Sequence, residues 1–236
     1  MSTKGTKGTK GERPWVSVNF AVTWDGRIST RNRTPSDFSS PRDKRRLLEI
    51  RARADAVLVG AGTVAADQMI MGMPDSELRE ARIRRGQPPY PLRVLLTNSG
   101  RIDPALRLFK KKVSPIVIFS TERMPRAVRA GLEGKADVIL TSETKVDLGA
   151  MLAVLRKEYG VKRVDCEGGG QVCRALLELD LIDEIHLTLS PRLFGGEKAP
   201  TITGVAGEYL AKSVTCALRS AKTFDGECFL NYRVRR

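Results

Sequence analysis

The stretch Ala56-Val57-Leu58-Val59-Gly60-Ala61-Gly62-Thr63-Val64 is a continuous apolar run that ends in a Gly-Ala-Gly turn. Four apolar residues bounded by glycine predict a short buried strand. On its N-terminal side, residues 16–22 alternate with period two, as a strand does, and Ser40-Pro41 ahead of 42–53 supplies a helix start. On its C-terminal side, 93–97, 115–119 and 136–140 read as three more short buried strands, with a helix over 124–132. Leu148, Met151, Leu152, Leu155 and Tyr159 fall on one helical face. A strand over 162–166, glycines 168–170, a helix over 171–179 and a strand over 184–190 follow. Two antiparallel strands near 214–222 and 228–234 close the chain. Strands alternating with helices imply an α/β fold, largely parallel in the centre of its sheet with an antiparallel C-terminal edge.

Residues 14–236 read as a single domain. The GQPPYP stretch at 86–91 is a loop, since a hinge there would leave two halves too poor in strands to close. Residues 1–13 repeat a Thr-Lys-Gly pattern with no apolar residue after Met1, which predicts a flexible basic tail. With 236 residues and 41% hydrophobic content the chain can bury a core. Its formal net charge of +14 admits nucleic acid, an acidic membrane surface or a phosphorylated small molecule as partner. Lys4, Lys7, Lys10 and Arg13 place part of that excess in the tail.

Cys166, Cys173, Cys216 and Cys228 form no CxxC pair, and His186 is the one histidine, so zinc-finger and zinc-deaminase ligand sets are excluded. His186 lies in the alternating run Ile185-His186-Leu187-Thr188-Leu189 and reads as an ordinary strand residue. No apolar segment reaches the ~20 residues of a membrane span. The N-terminus has lysines but no hydrophobic run of a secretory signal. The expectation is a cytoplasmic protein with reduced thiols.

In α/β sheets, ligands collect where parallel strands end and helices begin. Two such places carry glycine here: Gly60-Ala61-Gly62-Thr63, and Glu167-Gly168-Gly169-Gly170-Gln171. Glycine lets backbone approach a ligand, and free N–H groups at a helix start favour phosphate. Neither turn matches GxGxxG or the Walker pattern, so each alone reads equally as a tight turn with no ligand; together they point to an anionic cofactor. Glu167, a carboxylate directly before three glycines, fits a hydrogen bond to substrate better than a phosphate contact.

Five separated pieces in this order resemble the reductase domain of riboflavin biosynthesis, a family with a dihydrofolate-reductase-like three-layer fold. They are 19–27 (NFAVTWDGR), 50–64 (IRARADAVLVGAGTV), 95–101 (LLTNSGR), 167–170 (EGGG) and 181–196 (LIDEIHLTLSPRLFGG). The resemblance runs from Pro14 to the C-terminus. The zinc deaminase domain that often precedes the reductase in bacteria lies outside this sequence, so the chain resembles the stand-alone reductases. The resemblance implies hydride transfer from NADPH to the ribose C1′ of a pyrimidine ribosylamino 5′-phosphate, giving the ribitylamino product. It implies that Thr63, Asp67 and Ser99 contact the cofactor and that Gly168, Gly169, Gly170 and Gln171 cradle its pyrophosphate. Asn19, Arg51 and Glu167 fall toward the substrate, and Arg101 is offered as the partner of the 2′-phosphate. Arg51 reads equally as part of a solvated helix face with Arg42, Lys44, Arg45 and Arg46. Such chemistry requires no metal and no covalent nucleophile; the catalytic proton donor is unassigned, with Asp25 the nearest candidate and a simple turn its alternative. The family kinship also implies a homodimer.

The sequence departs from the family after Asp67. A second Asp, a Pro and a Leu-Thr pair are replaced by Gln68-Met69-Ile70-Met71-Gly72-Met73-Pro74. Methionines at alternate positions suggest a soft, adaptable surface and leave another pyrimidine, a pterin or another heterocycle open as substrate. A non-enzymatic nucleic-acid binder is the rival reading of the charge. Aromatic residues at 6% and the lack of a recognition helix or stacking motif count against it.

Overall fold

The computed structural model describes residues 13–30, 38–204 and 209–235. Of the expected tail, only Arg13 falls within that range; the rest lies outside the described residues. The chain groups into two compact units. One is built on Arg51–Val164, the other on Val16–Ile50 together with Asp165–Arg236.

In the first unit, strands β2 (Ala56–Gly60), β3 (Leu92–Leu96), β4 (Ile116–Ser120) and β5 (Asp137–Leu140) pair in parallel in the order β5-β4-β3-β2. β2 and β4 are buried at every position, which is why they read as unbroken apolar runs. Helices α2 (Ala61–Asp67), α3 (Ser76–Arg84), α4 (Arg107–Lys110), α5 (Arg126–Gly131) and α6 (Leu148–Lys157) connect them. α6 starts where the Asp147 carboxylate accepts the Ala150 N–H at 3.0 Å, and it buries Leu148, Met151, Leu152 and Leu155. These four are the stripe that the sequence periodicity picks out. Fully burying each such side chain contributes roughly 1.5–3 kcal/mol. A core of Val57, Val59, Val64, Leu95, Ile118 and their neighbours fills the unit.

In the second unit, β1 (Trp15–Thr23) pairs in parallel with β7 (Glu184–Ser190), joining Ser17 to Glu184 and Thr23 to Ser190. β7 then pairs antiparallel with β9 (Glu227–Val234), and β9 with β8 (Cys216–Phe224). α1 (Pro41–Arg51) begins as read from the sequence: the Ser40 hydroxyl accepts the Asp43 N–H at 3.0 Å and donates to Glu227 at 2.6 Å. The unit boundary cuts β6 (Arg163–Cys166) after Val164, and α7 (Gly170–Glu178) follows it. The strands are parallel apart from the C-terminal antiparallel set, as expected.

Arg46 differs from its expectation as part of a solvated face. Its guanidinium donates to the Leu187 carbonyl, the Thr188 hydroxyl and the Leu230 carbonyl, and lies 5.3 Å from the Phe229 ring centroid. A long arginine stem covers apolar surface while its fork satisfies strand carbonyls.

Candidate functional site

The carboxyl ends of β2 and β3 lie side by side, because Gly60 is in register with Leu96. Two of the candidate elements therefore leave adjacent strands at one edge of the first unit. Helix α2 starts after Gly60 with no side-chain cap, so its leading N–H groups depend on other partners. Thr63 and Asp67 stand one turn apart on α2, both half-buried. A Cβ on Gly62 would meet nothing within 4 Å. Neither packing nor backbone conformation requires glycine there; the open space leaves room for close approach by a bound molecule.

Ser99 lies exposed in the turn after β3, where its Oγ accepts the Arg101 N–H at 3.3 Å. Asn98, beside it, was not singled out by sequence. Its carbonyl accepts the Thr121 hydroxyl at 2.6 Å and its Oδ1 accepts the Val146 N–H at 2.9 Å, so it locks the loop that presents Ser99. Asn ahead of Ser-Gly is an ordinary turn signal that could have marked it. The Ser120 hydroxyl, at the carboxyl end of β4, is fully buried with no hydrogen-bond partner among the described residues.

The segment after Asp67 is the main correction. Met71 and Met73 are 2% and 1% exposed, so they belong to the core and not to an adaptable surface. Gln68 and Met71 adopt left-handed conformations, with φ of 48° and 55°. Such residues persist where their surroundings over-determine them. Here the surroundings are three arginines. Arg93 donates to the Ile70 carbonyl at 3.4 Å, Arg51 to the Gly72 carbonyl, and Arg79 to the Met73 and Pro74 carbonyls at 2.7 Å each. Arg51 is thus buried at 6% exposure, which removes the solvated-face reading. Arg93 also donates to the carbonyls of Leu108, Lys111 and Ser114. Burial lowers its pKa to about 10, leaving it charged at neutral pH.

In the second unit, Glu167 and the three glycines follow β6 directly, with Glu167 half-buried. Gly169 takes φ 89° and ψ 94°, a conformation that favours glycine, and α7 has no side-chain cap. Gly170 has a different reason to be glycine: a Cβ would sit 2.4 Å from the Thr201 carbonyl oxygen and 2.6 Å from the Gly204 nitrogen. Backbone packing accounts for it without a ligand. Gln171 is exposed in the first turn of α7.

Asn19, half-buried on β1, is in register with His186 on β7, which is in register with Asn231 on β9. Asn231 Nδ2 donates to Glu184 at 2.7 Å and lies 2.9 Å from His186 Nδ1. His186 is a strand residue within a polar row, as its alternating context suggests. Asp25 accepts the Thr23 hydroxyl at 2.5 Å and the N–H groups of Phe194 and Gly195. The Thr23 hydrogen bond foremost, with help from those N–H groups, holds its carboxyl down to about 2. It is ionised at neutral pH and ties two loops together, so its turn role stands and its candidacy as proton donor does not. Burial raises the Cys166 thiol, and raises Cys173 to about 12, which makes both inert.

Taken unit by unit, the uncapped start of α2 with the open Gly62, and the uncapped start of α7 with the conformation of Gly169, each fit an anionic group of a cofactor. Among the described residues, no helix is long and apolar enough to cross a membrane.

A model of the RibD C-terminal domain family matches residues 14–229. A 2,5-diamino-6-ribosylamino-4(3H)-pyrimidinone 5′-phosphate reductase of Archaeoglobus fulgidus is 35% identical over 190 residues, covering 80% of this chain and 86% of its own. The reductase of the same name from Methanothermobacter thermautotrophicus is 30% identical over 224 residues, covering 94% and 99%. Among solved structures, a pyrimidine reductase-like protein of Corynebacterium diphtheriae superposes with a TM-score of 0.82 at 20% identity, covering 94% of this chain and 92% of that one. That likeness establishes a shared fold.

Proposed function

The chain belongs to the RibD C-terminal domain family, and from that premise we propose that it is an NADPH-dependent reductase of riboflavin biosynthesis. Its substrate in this reading is a pyrimidine ribosylamino 5′-phosphate. The observation that carries the reading is 30% identity along nearly the whole length of a reductase of that specificity.

When bound, the reduced nicotinamide supplies a hydride to the ribose C1′. That transfer would convert the ribose to an open ribityl chain, the ring oxygen leaving C1′ and gaining a proton to become a hydroxyl. The chain's own part is to bind, orient and exclude water. Thr63, Asp67 and Ser99 hold the cofactor, with Gly168, Gly169 and Gln171 at its pyrophosphate. Gly170 serves the same turn by packing. Asn19 and Glu167 offer hydrogen bonds to the substrate. Arg51 acts on substrate through the backbone of 70–74, which it holds. Asp25, ionised at neutral pH, is not the source of the proton.

We also propose that residues 14–236 work as one domain, which a single calorimetric transition would support and two would refute. A homodimer through the β8–β9 hairpin is supported by the exposure of Leu218 (54%) and Phe224 (52%) on the outermost strand of that unit. Light scattering of Leu218→Glu should then report a monomer.

The deciding experiment follows NADPH oxidation with the diaminopyrimidine ribosylamine phosphate, its deaminated form and dihydrofolate. Turnover with either ribosylamine supports the reading and chooses between them. Turnover with dihydrofolate alone, or no NADPH binding, overturns it.

A further inference from the structure

A cavity of about 1070 Å³ opens within the first unit at the amino ends of its parallel strands. Its lining includes Asp55 just before β2, Leu92 at the start of β3 and Pro115 just before β4. The glycine turn after β2 and the Ser99 loop lie at the opposite ends of these strands. Five strand residues at ~3.3 Å each put about 17 Å between the two edges. The cavity is therefore separate from the elements assigned to the cofactor in this unit.

Its lining is cationic and aromatic. Arg53, Arg85, Lys162 and Arg163 face it, with Tyr90 and Tyr159. The one carboxylate of the lining, Asp55, is already engaged. Its Oδ1 accepts the Gln87 amide at 2.6 Å, and its Oδ2 accepts the N–H groups of Lys162 and Arg163 at 2.9 and 3.0 Å. These donors are one side-chain amide and two backbone N–H groups, and they fix the carboxylate in place at the edge of the lining. Arg163 also stacks over Trp15, 5.8 Å from the ring.

The walls are fixed from beneath. Arg82, with no exposed surface, donates to the carbonyls of Ala52, Ala54 and Pro88, so a buried cation clamps the Gln87–Pro89 wall to the entry of β2. Arg85 donates to the Ala52 carbonyl at 2.6 Å and to Gln87 at 3.2 Å, leaving its guanidinium held in one place. Tyr159 is half-buried; desolvation, with Asp137 and Glu158 nearby, pushes its phenol pKa up and keeps the hydroxyl proton available to donate. Rigid polar groups placed around apolar and aromatic walls are the general build of a small-molecule site, and this volume stands at the top of the usual range of about 300–1,000 Å³.

We propose that this cavity binds a phosphorylated aromatic heterocycle of mononucleotide size. The phosphate meets Lys162, Arg53 and Arg85, and the ring packs on the tyrosine and proline walls. Arginine and lysine supply charge-assisted hydrogen bonds to phosphate oxygens, while tyrosine faces accept a planar ring.

Calorimetric titration of the full chain with AMP, in saturating NADP⁺ to fill the reductase site, tests this. One AMP per chain should bind. Adenosine and ribose 5-phosphate should each bind about tenfold more weakly, since each lacks half of the recognition. The double variant Arg53→Glu, Lys162→Glu should lose AMP binding and keep the NADPH KM. Tyr159→Leu should abolish the preference for AMP over ribose 5-phosphate. The proposal is overturned if AMP gives no heat under saturating NADP⁺. It is equally overturned if the double variant binds AMP as the parent does, or if that variant changes the molecular mass by light scattering, which would make the cavity an interface between copies of the chain.

Discussion

The two glycine turns look alike in sequence, and the structure gives them different physics. The turn after β2 contains a glycine with open space around it, and the segment beyond α2 is held by arginine side chains reaching backbone carbonyls. The turn after β6 is held by backbone against backbone, with Gly170 wedged beneath Thr201 and Gly204. The first can change its side chains at a cost in hydrogen bonds. The second admits no side chain at Gly170. A glycine in a strand-to-helix turn therefore signals ligand approach only when packing does not already require it.

Gly170→Val attacks the second turn and should have the largest effect. With a contact of 2.4 Å to backbone, the 201–204 loop must move, and we expect a loss of about 3 kcal/mol or more in denaturant unfolding. Arg93→Met attacks the first. It removes the arginine donor from the carbonyls of four residues, of which Lys111 keeps the Val113 N–H, and the same measurement should show a loss of about 3 kcal/mol.

Arg51→Lys sharpens the comparison, because lysine keeps the charge but not the fork. Stability should fall by about 1 kcal/mol. If Arg51 works by positioning 70–74, the KM for the ribosylamine should rise while NADPH binding is kept; loss of NADPH binding would refute that role. Gly62→Ala should do the reverse of Gly170→Val. It places a methyl group in open space within a helix, so stability should hold or gain about 0.5–1 kcal/mol, while NADPH affinity drops by about tenfold.

The smallest effect is Asp25→Asn. The carboxyl is depressed in the folded chain, so its stabilisation is fully present above the ordinary value of 3.8 and is lost as pH falls toward about 2. Parent and variant should differ by a constant amount at neutral pH, and that difference should shrink only in this acid window.

What the sequence made legible was whatever apolar periodicity encodes. β2 and α6 could be read because their buried residues are Val and Leu. Helix α3 could not, since the residue it buries is Arg82 and its pattern is charged all round. Its Asp75 cap, accepting the Leu78 N–H at 2.9 Å, was the available signal. The same blindness affected Arg46, Arg51 and Arg93, whose partners are carbonyls of distant strands and loops; no local pattern marks a cation that works inside. Met71 and Met73 failed for the converse reason, as apolar residues in an irregular segment carry no period. Part of the +14 charge consequently staples backbone, and only the remainder bears on anionic ligands.

The discontinuity of the second unit bears on how the chain is made. β1 is made before the whole stretch Arg51–Val164, yet Ser17 waits for Glu184 and Thr23 for Ser190, while β7 in turn waits for β9. The stretch Arg51–Val164 is continuous, and its β2–β3, β3–β4 and β4–β5 pairs join strands that follow one another in sequence, so these pairs can organise during synthesis. The nascent chain must then shelter the β7-facing edge of β1, an apolar strand, until β7 has been made. Translation that stops short of β7 leaves that strand without this neighbour, a ready substrate for chaperones and proteases.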